Sequence, residues 1–123
     1  MPIAYVLDEH LRGKPIRHAI RHHNLGGGLL IDATRVGDPA DLPLGSSDAA
    51  ILEWAQRAGP IILTEDARTF PAGLALHLHS GQSSPGVFVI LTSATVALIL
   101  RWLEFVVTDN QPDAWRDRVT YVP

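Results

Sequence analysis

The chain has 123 residues, carries ten Lys and Arg against thirteen Asp and Glu, and contains no cysteine. That length holds one domain, 1–123, with a closed core and no room for a second. The missing cysteine excludes disulfides and thiolate zinc sites and agrees with a reducing, cytoplasmic setting, while the net charge of −3 argues against tight nonspecific DNA binding.

Short apolar runs alternate with helical periodicity along the chain. Residues 3–7, Ile-Ala-Tyr-Val-Leu, predict a buried strand because they are brief and include β-branched and aromatic side chains. The start MPIAYVLDEH lacks a basic segment leading into an apolar core, so no secretory signal is expected. Gly13 and Pro15 mark a helix start. Ile16, Ala19, Ile20 and His23 fall at i, i+3, i+4 and i+7 and define its inward face, with Arg17, His18, Arg21 and His22 opposite. Gly26, Gly27 and Gly28 end it.

Residues 29–36 predict a second strand and 37–45, dense in Gly, Pro and Asp, a loop. Ser47 suits the N-cap of a helix whose apolar face is Ile51, Trp54, Ala55 and Ala58. Gly59 and Pro60 stop it before a third strand at 61–63. A third helix is expected from near Pro71 to Ser80, then a turn at 81–85 and a fourth strand at 86–91. Ser93 would cap a fourth helix at about 94–107, apolar nearly all round and so packed on more than one side. Residues 118–122 predict a last short strand. The stretch 87–107 approaches membrane-spanning length, but Arg101, Glu104 and the break at Thr92-Ser93 predict a strand and a buried helix, with no membrane span.

This alternation predicts an α/β fold with a mostly parallel sheet of four to five strands, covered on both faces. Its crossovers should be right-handed and its site should lie beyond the carboxyl ends of the strands. Three acids fall there: Asp8 closes the first strand, Asp66 follows the third, and Asp48 opens a helix entered from the same edge. Each has a simpler role, Asp48 as a helix N-terminal charge, Asp66 as a turn former and Asp8 as a loop carboxylate. Together they repel. At about 5 Å and an effective dielectric near 20, each ionised pair costs roughly 3 kcal/mol, a large share of a small domain's stability. A hard divalent cation reverses that sign.

The blocks Leu7-Asp8-Glu9-His10, Ser47-Asp48-Ala49-Ala50-Ile51-Leu52-Glu53-Trp54-Ala55 and Ile62-Leu63-Thr64-Glu65-Asp66 resemble the PIN-like proteins of the DUF5615 group. Residues 35–45, Ser84-Pro85-Gly86-Val87-Phe88 and the ending 115–123 are similar to one bacterial branch of it, so the likeness spans essentially the whole chain. The resemblance implies a three-layer α/β/α sandwich and a nuclease that hydrolyses RNA with Mg²⁺ or Mn²⁺. Carried over by motif, Asp8, Asp48 and Asp66 would be the metal-binding and catalytic acids. It also implies a link to toxin–antitoxin pairs and thus a small antitoxin partner. A four-acid site has a further glutamate with no obvious counterpart here. Glu9, Asp38, Asp41 and Glu65 are the candidates to replace it. Arg68 stands where relatives often carry another acid, so a single metal is favoured over two.

His10 beside Asp8-Glu9 is a candidate to touch substrate, or else a loop histidine. Thr64 and Thr69 could orient water or phosphate, or stabilise the turn. His18 and His22 share an i, i+4 spacing but have no third ligand at a recognisable distance. Arg12, Lys14, Arg17 and Arg21 form the one basic concentration, read either as a phosphate-guiding rim or as a solvated helix face; Arg68 could extend such a rim. The apolar fourth helix, with Leu98, Trp102 and Phe105, could serve a homodimer or the monomer core. Two other functions compete: a noncatalytic PIN-like interaction module, and a receiver-like phosphoacceptor domain that lacks the expected lysine.

Overall fold

A computed structural model describes residues 2–123. Its regular elements are β1 (Ala4–Leu7), α1 (Pro15–Leu25), β2 (Asp32–Arg35), α2 (Asp48–Ala58), β3 (Ile61–Thr64), α3 (Thr69–His79), β4 (Val87–Ile90), α4 (Val96–Asp109) and β5 (Val119–Val122). Single 3₁₀ turns lie at Glu9–Leu11 and Pro112–Ala114. The five strands form one sheet in the order β2-β1-β3-β4-β5, and every pairing is parallel. The α/β/α sandwich expected from the sequence is therefore present, with 118–122 supplying the fifth strand.

Strand alternation divides the interior into two cores. Tyr5, Leu7, Ile61, Leu63, Phe88 and Ile90 face α1 and α4, while Val6, Ile62, Val87 and Val89 face α2 and α3. The strands β1, β3 and β4 are apolar on both faces, as a sheet covered on both sides requires. Tyr5 adds a polar tie: its hydroxyl donates to the Leu103 carbonyl of α4 at 2.8 Å, and burial raises its pKa.

The last crossover departs from expectation. The chain passes from β1 to β2 over the α1 face, then steps the other way from β2 to β3 and β3 to β4 over the opposite face. These three connections share one hand. From β4 to β5 it continues in that second direction, but α4 returns to the α1 side, so this crossover has the opposite hand. Packing explains the exception. With α2 and α3 already on one face, Phe88 and Ile90 on the other would stay wet unless α4 joined α1 there.

Several local expectations are also corrected. The second strand is only Asp32–Arg35, and Leu29 and Leu30 before it are exposed. Thr95, not Ser93, caps α4, accepting from the Leu98 amide at 3.2 Å. That helix is not buried all round: Ile99, Leu103 and Val106 are inside, whereas Leu98 and Phe105 are 41% and 53% exposed. Ala58 is exposed on α2, and Leu52 takes its place in the core. Ser47 does cap α2, and Gly59 ends it at φ 99. No helix among the described residues is long and apolar enough to cross a membrane.

The edge strand β2 is blocked at both ends, which leaves only the outward backbone groups of Ala33 without a partner among the described residues. Val36 donates to the Leu7 carbonyl, so even-numbered residues turn their backbone toward β1 and odd-numbered ones turn outward. Outward Ile31 is held by the Asn24 carboxamide, which donates to its carbonyl and accepts from its amide, both at 2.9 Å. Outward Arg35 is held by Asp38, whose carboxylate accepts from its amide and whose own amide donates to its carbonyl. Such blocking protects an exposed edge from association. Asn24→Ala should cost about 1–3 kcal/mol through the two lost bonds. Urea denaturation measures this, and an unchanged midpoint would show the carboxamide to be dispensable.

Candidate functional site

The strand order creates a switch point. The chain leaves β1 toward β2 on one side and later lays β3 against the other, so the carboxyl ends of β1 and β3 are neighbours. Their helical continuations run over opposite faces and leave a crevice between them, the usual ligand position in open α/β sheets. Asp8 sits at that point, its amide donating to the Leu63 carbonyl at 2.9 Å.

Parity then decides which groups meet. Continuing the alternation Val6, Asp8 and Ile62, Thr64 aims both Asp8 and Thr64 toward the α2 and α3 layer. The N-termini of α2 and α3 arrive on that face and bring Asp48 and Thr69. Both helix ends carry partial positive charge, which favours carboxylates.

The acids are joined through the two threonines. Asp8 is only 6% exposed; its Oδ2 accepts from the Thr64 hydroxyl at 3.0 Å and its Oδ1 from the Glu9 amide at 2.7 Å. The Thr64 hydroxyl in turn accepts from the Asp66 amide at 3.0 Å. Asp66 Oδ1 accepts from the Arg68 and Thr69 amides at 2.9 and 2.8 Å. Its Oδ2 meets the Thr69 hydroxyl, which also lies 3.0 Å from Asp48 Oδ2. The Thr69 hydroxyl and amide, followed by the Arg68 amide and the charge of His10, lower the Asp66 pKa and hold it ionised. Turn formation and site formation are thus the same act for Asp66.

Thr69 raises a chemical question. A hydroxyl has one proton to donate, yet two carboxylate oxygens converge on it. If both are ionised, the one proton is shared between them or serves only one, and an added proton or cation would relieve the remaining repulsion. The two carboxylate oxygens lie within two hydrogen-bond lengths of each other, roughly 6 Å. Among the described residues, no three His, Cys, Asp or Glu side chains form a ready metal-binding group. The donor set still fits a hard cation: two carboxylates flanking a hydroxyl, with a third, buried carboxylate behind Thr64, are the oxygen ligands that Mg²⁺ or Mn²⁺ prefers while it retains water.

The other sequence candidates fall in different places. His10 is exposed and close, its Nδ1 at 3.5 Å from Asp8 Oδ2. Glu9 turns away to accept from the Gly45 amide at 2.6 Å, pinning the 37–45 loop to the site edge. Asp41 accepts from the Trp54 indole at 3.0 Å and so anchors that loop to α2. Glu65 is exposed. Asp38 is held by Arg35 through two bonds of 2.9 and 3.0 Å and by Arg12 at 3.1 Å. Among the described residues, no fourth acid joins the Asp8, Asp48 and Asp66 network.

The cations are equally dispersed. Arg12 is occupied by the Val36 carbonyl and Asp38. Lys14, the chain's single lysine, precedes α1 and lines an open hollow with His18, His22 and Leu100. Arg17 faces a separate groove beside β2. Arg68 follows Asp66 by two residues, and its backbone amide donates to Asp66 Oδ1. Sequence inspection missed Asn24, whose only signal was a polar residue near a helix end.

The Asp38 pairing has a pH signature. Chiefly the Arg35 hydrogen bond, and also Arg12, hold its pKa down to about 2 from 3.8. A carboxyl with a depressed folded pKa contributes stability above its unfolded value and loses it as pH falls through the folded one. Asp38→Asn should therefore lower the melting temperature near pH 6, and the gap to wild type should close between about pH 4 and pH 2. Thermal melts across that range check this; a gap independent of pH would disprove the ion-pair account.

No family model, curated protein or solved structure matches the chain. The likeness to the DUF5615 group therefore rests on the sequence blocks themselves.

Proposed function

We propose that the chain is a PIN-like, Mg²⁺- or Mn²⁺-dependent ribonuclease acting in the cytoplasm, with Asp8, Asp48 and Asp66 as its acids. The observation that carries this reading is the single Thr69 hydroxyl shared by Asp48 and Asp66, beside buried Asp8 at the switch point. Asp48 and Asp66 would hold the cation, with Asp8 reaching it directly or through water. When bound, such a cation lowers the pKa of a coordinated water and stabilises charge on a phosphate.

The protein's own groups supply the rest. Thr64 fixes the Asp8 carboxylate, and the α3 amides fix Asp66, so both acids are oriented before any ligand arrives. His10, exposed at the rim, would be the group to meet substrate. Arg68, whose backbone amide binds Asp66, would be the cation to meet a phosphate of the RNA backbone. A role as the toxin of a toxin–antitoxin pair, with a small partner closing this edge, belongs to the same reading.

The test is cleavage of single-stranded RNA by purified protein in Mn²⁺ or Mg²⁺, with and without EDTA. Cleavage that requires the cation supports the proposal; cleavage indifferent to EDTA, or none in either metal, overturns it. A second reading, a noncatalytic PIN-like interaction module, draws on the absence of a three-ligand group among the described residues and on the exposed Leu25 and Leu30. It predicts no cation-induced rise in melting temperature.

A further inference from the structure

Between α1 and β2 lies a groove of about 450 Å³, distinct from the acid crevice. Ile20 and Ala33 lie along it, and Leu25 and Leu30 stand over it at 79% and 66% exposure. Two leucines so exposed at one groove leave apolar surface whose burial would be favourable. Arg17 and Arg21, one helical turn apart on α1, line the same groove. Arg35 at its end is neutralised by Asp38, but among the described residues Arg17 and Arg21 have no acidic partner.

We propose that this groove docks an amphipathic helical segment of a partner protein, one bearing Asp or Glu along the flank of an apolar stripe. Leucine or similar side chains of the segment fill the groove, and its acids meet Arg17 and Arg21. Charge complementarity selects acidic over basic flanks. The occupant is a helix and not an added strand, because Asn24 and Asp38 already hold the outward backbone groups of Ile31 and Arg35 and leave those of Ala33 alone to pair, too few for a strand. Single-stranded RNA fits less well, since the groove offers no aromatic side chain for stacking and its leucines give nothing to phosphate. The inference stands apart from the ribonuclease reading and survives its failure.

Fluorescence anisotropy with a labelled, designed peptide of about 20 residues, long enough to form a helix, tests this. One version carries Leu on one stripe with Glu flanks, and the other carries the same stripe with Lys flanks. The Glu peptide is expected to bind at least about tenfold more tightly, a difference of about 1.4 kcal/mol. Arg17→Glu with Arg21→Glu should remove that preference, and Leu25→Asp with Leu30→Asp should weaken both peptides at least about tenfold. These four positions lie at the surface or its margin, and circular dichroism verifies that each variant is folded. Equal affinity for the two peptides overturns the proposal, as does binding unaffected by either double variant. Displacement of the bound Glu peptide by a single-stranded oligonucleotide, or dimerisation of the protein that Leu25→Asp with Leu30→Asp abolishes, would assign the groove to RNA or to a second copy and overturn it too.

Discussion

Asp8→Asn is expected to lower cation-dependent RNA cleavage by at least about 10²-fold, the scale set by removing one charge-stabilising group from a prearranged site. The substitution keeps shape and polarity. An asparagine carbonyl oxygen can still accept from the Glu9 amide, and its NH₂ can face the Thr64 hydroxyl in place of Oδ2. The folded state should therefore lose no more than about 1 kcal/mol without metal, partly offset because one member of a repelling trio is gone. The cation-induced rise in melting temperature should fall together with cleavage, since binding to the native state alone is what raises it. The pair of measurements separates a site residue from a structural one. Undiminished cleavage in Asp8→Asn would sink the nuclease assignment, and a large loss of stability without metal would show that Asp8 acts in folding.

The largest loss of stability is expected at Gly86, which immediately precedes β4. Its φ of 128 lies where side chains are rarely tolerated, and a Cβ there would stand 2.5 Å from the Trp115 carbonyl oxygen. That oxygen cannot yield cheaply. Trp115 meets Phe88 edge-on at 5.3 Å and Trp102 at 5.4 Å. The next strand entry is tied by Ser84 and Asp117, each donating its amide to the other. Gly86→Ala thus combines backbone strain of about 1–3 kcal/mol with overpacking of about 1–3 kcal/mol. A total near 4 kcal/mol would lower the melting temperature by roughly 10 °C or more. Gly81→Ala is the control: its φ of 89 is also positive, but nothing lies within 4 Å of a Cβ there. It should cost only about 1–2 kcal/mol. Equal losses at the two positions would mean that the Trp115 contact carries no weight.

Much of this architecture was legible residue by residue. Gly59 and Pro60 ended α2, Ser47 capped it, and the brief apolar runs became strands, because caps, turns and periodicity act over a few residues. Asp8, Asp48 and Asp66 were readable as edge residues for the same reason. Where local signals competed, the reading failed. Thr95 displaced Ser93 as the cap of α4, and residues 29–36 held more β-branched and apolar character than the edge position could use.

The groupings were not legible. Asp38 looked like a spare acid for the site, but Arg35 and Arg12 draw it away, and nothing local announces an ion pair with a residue 26 positions earlier. Nor did spacing show that one hydroxyl, that of Thr69, would stand between Asp48 and Asp66.

By itself the amino-acid order determined an alternating α/β chain and put three carboxylates where strands or helices begin or end, since short-range sterics and hydrogen bonding govern those choices. Tertiary structure alone decided the order β2-β1-β3-β4-β5, the return of α4 to the α1 face, and the meeting of Asp8, Thr64, Asp66, Thr69 and Asp48. Those outcomes depend on burying both faces of one sheet at once, a condition that no local segment contains.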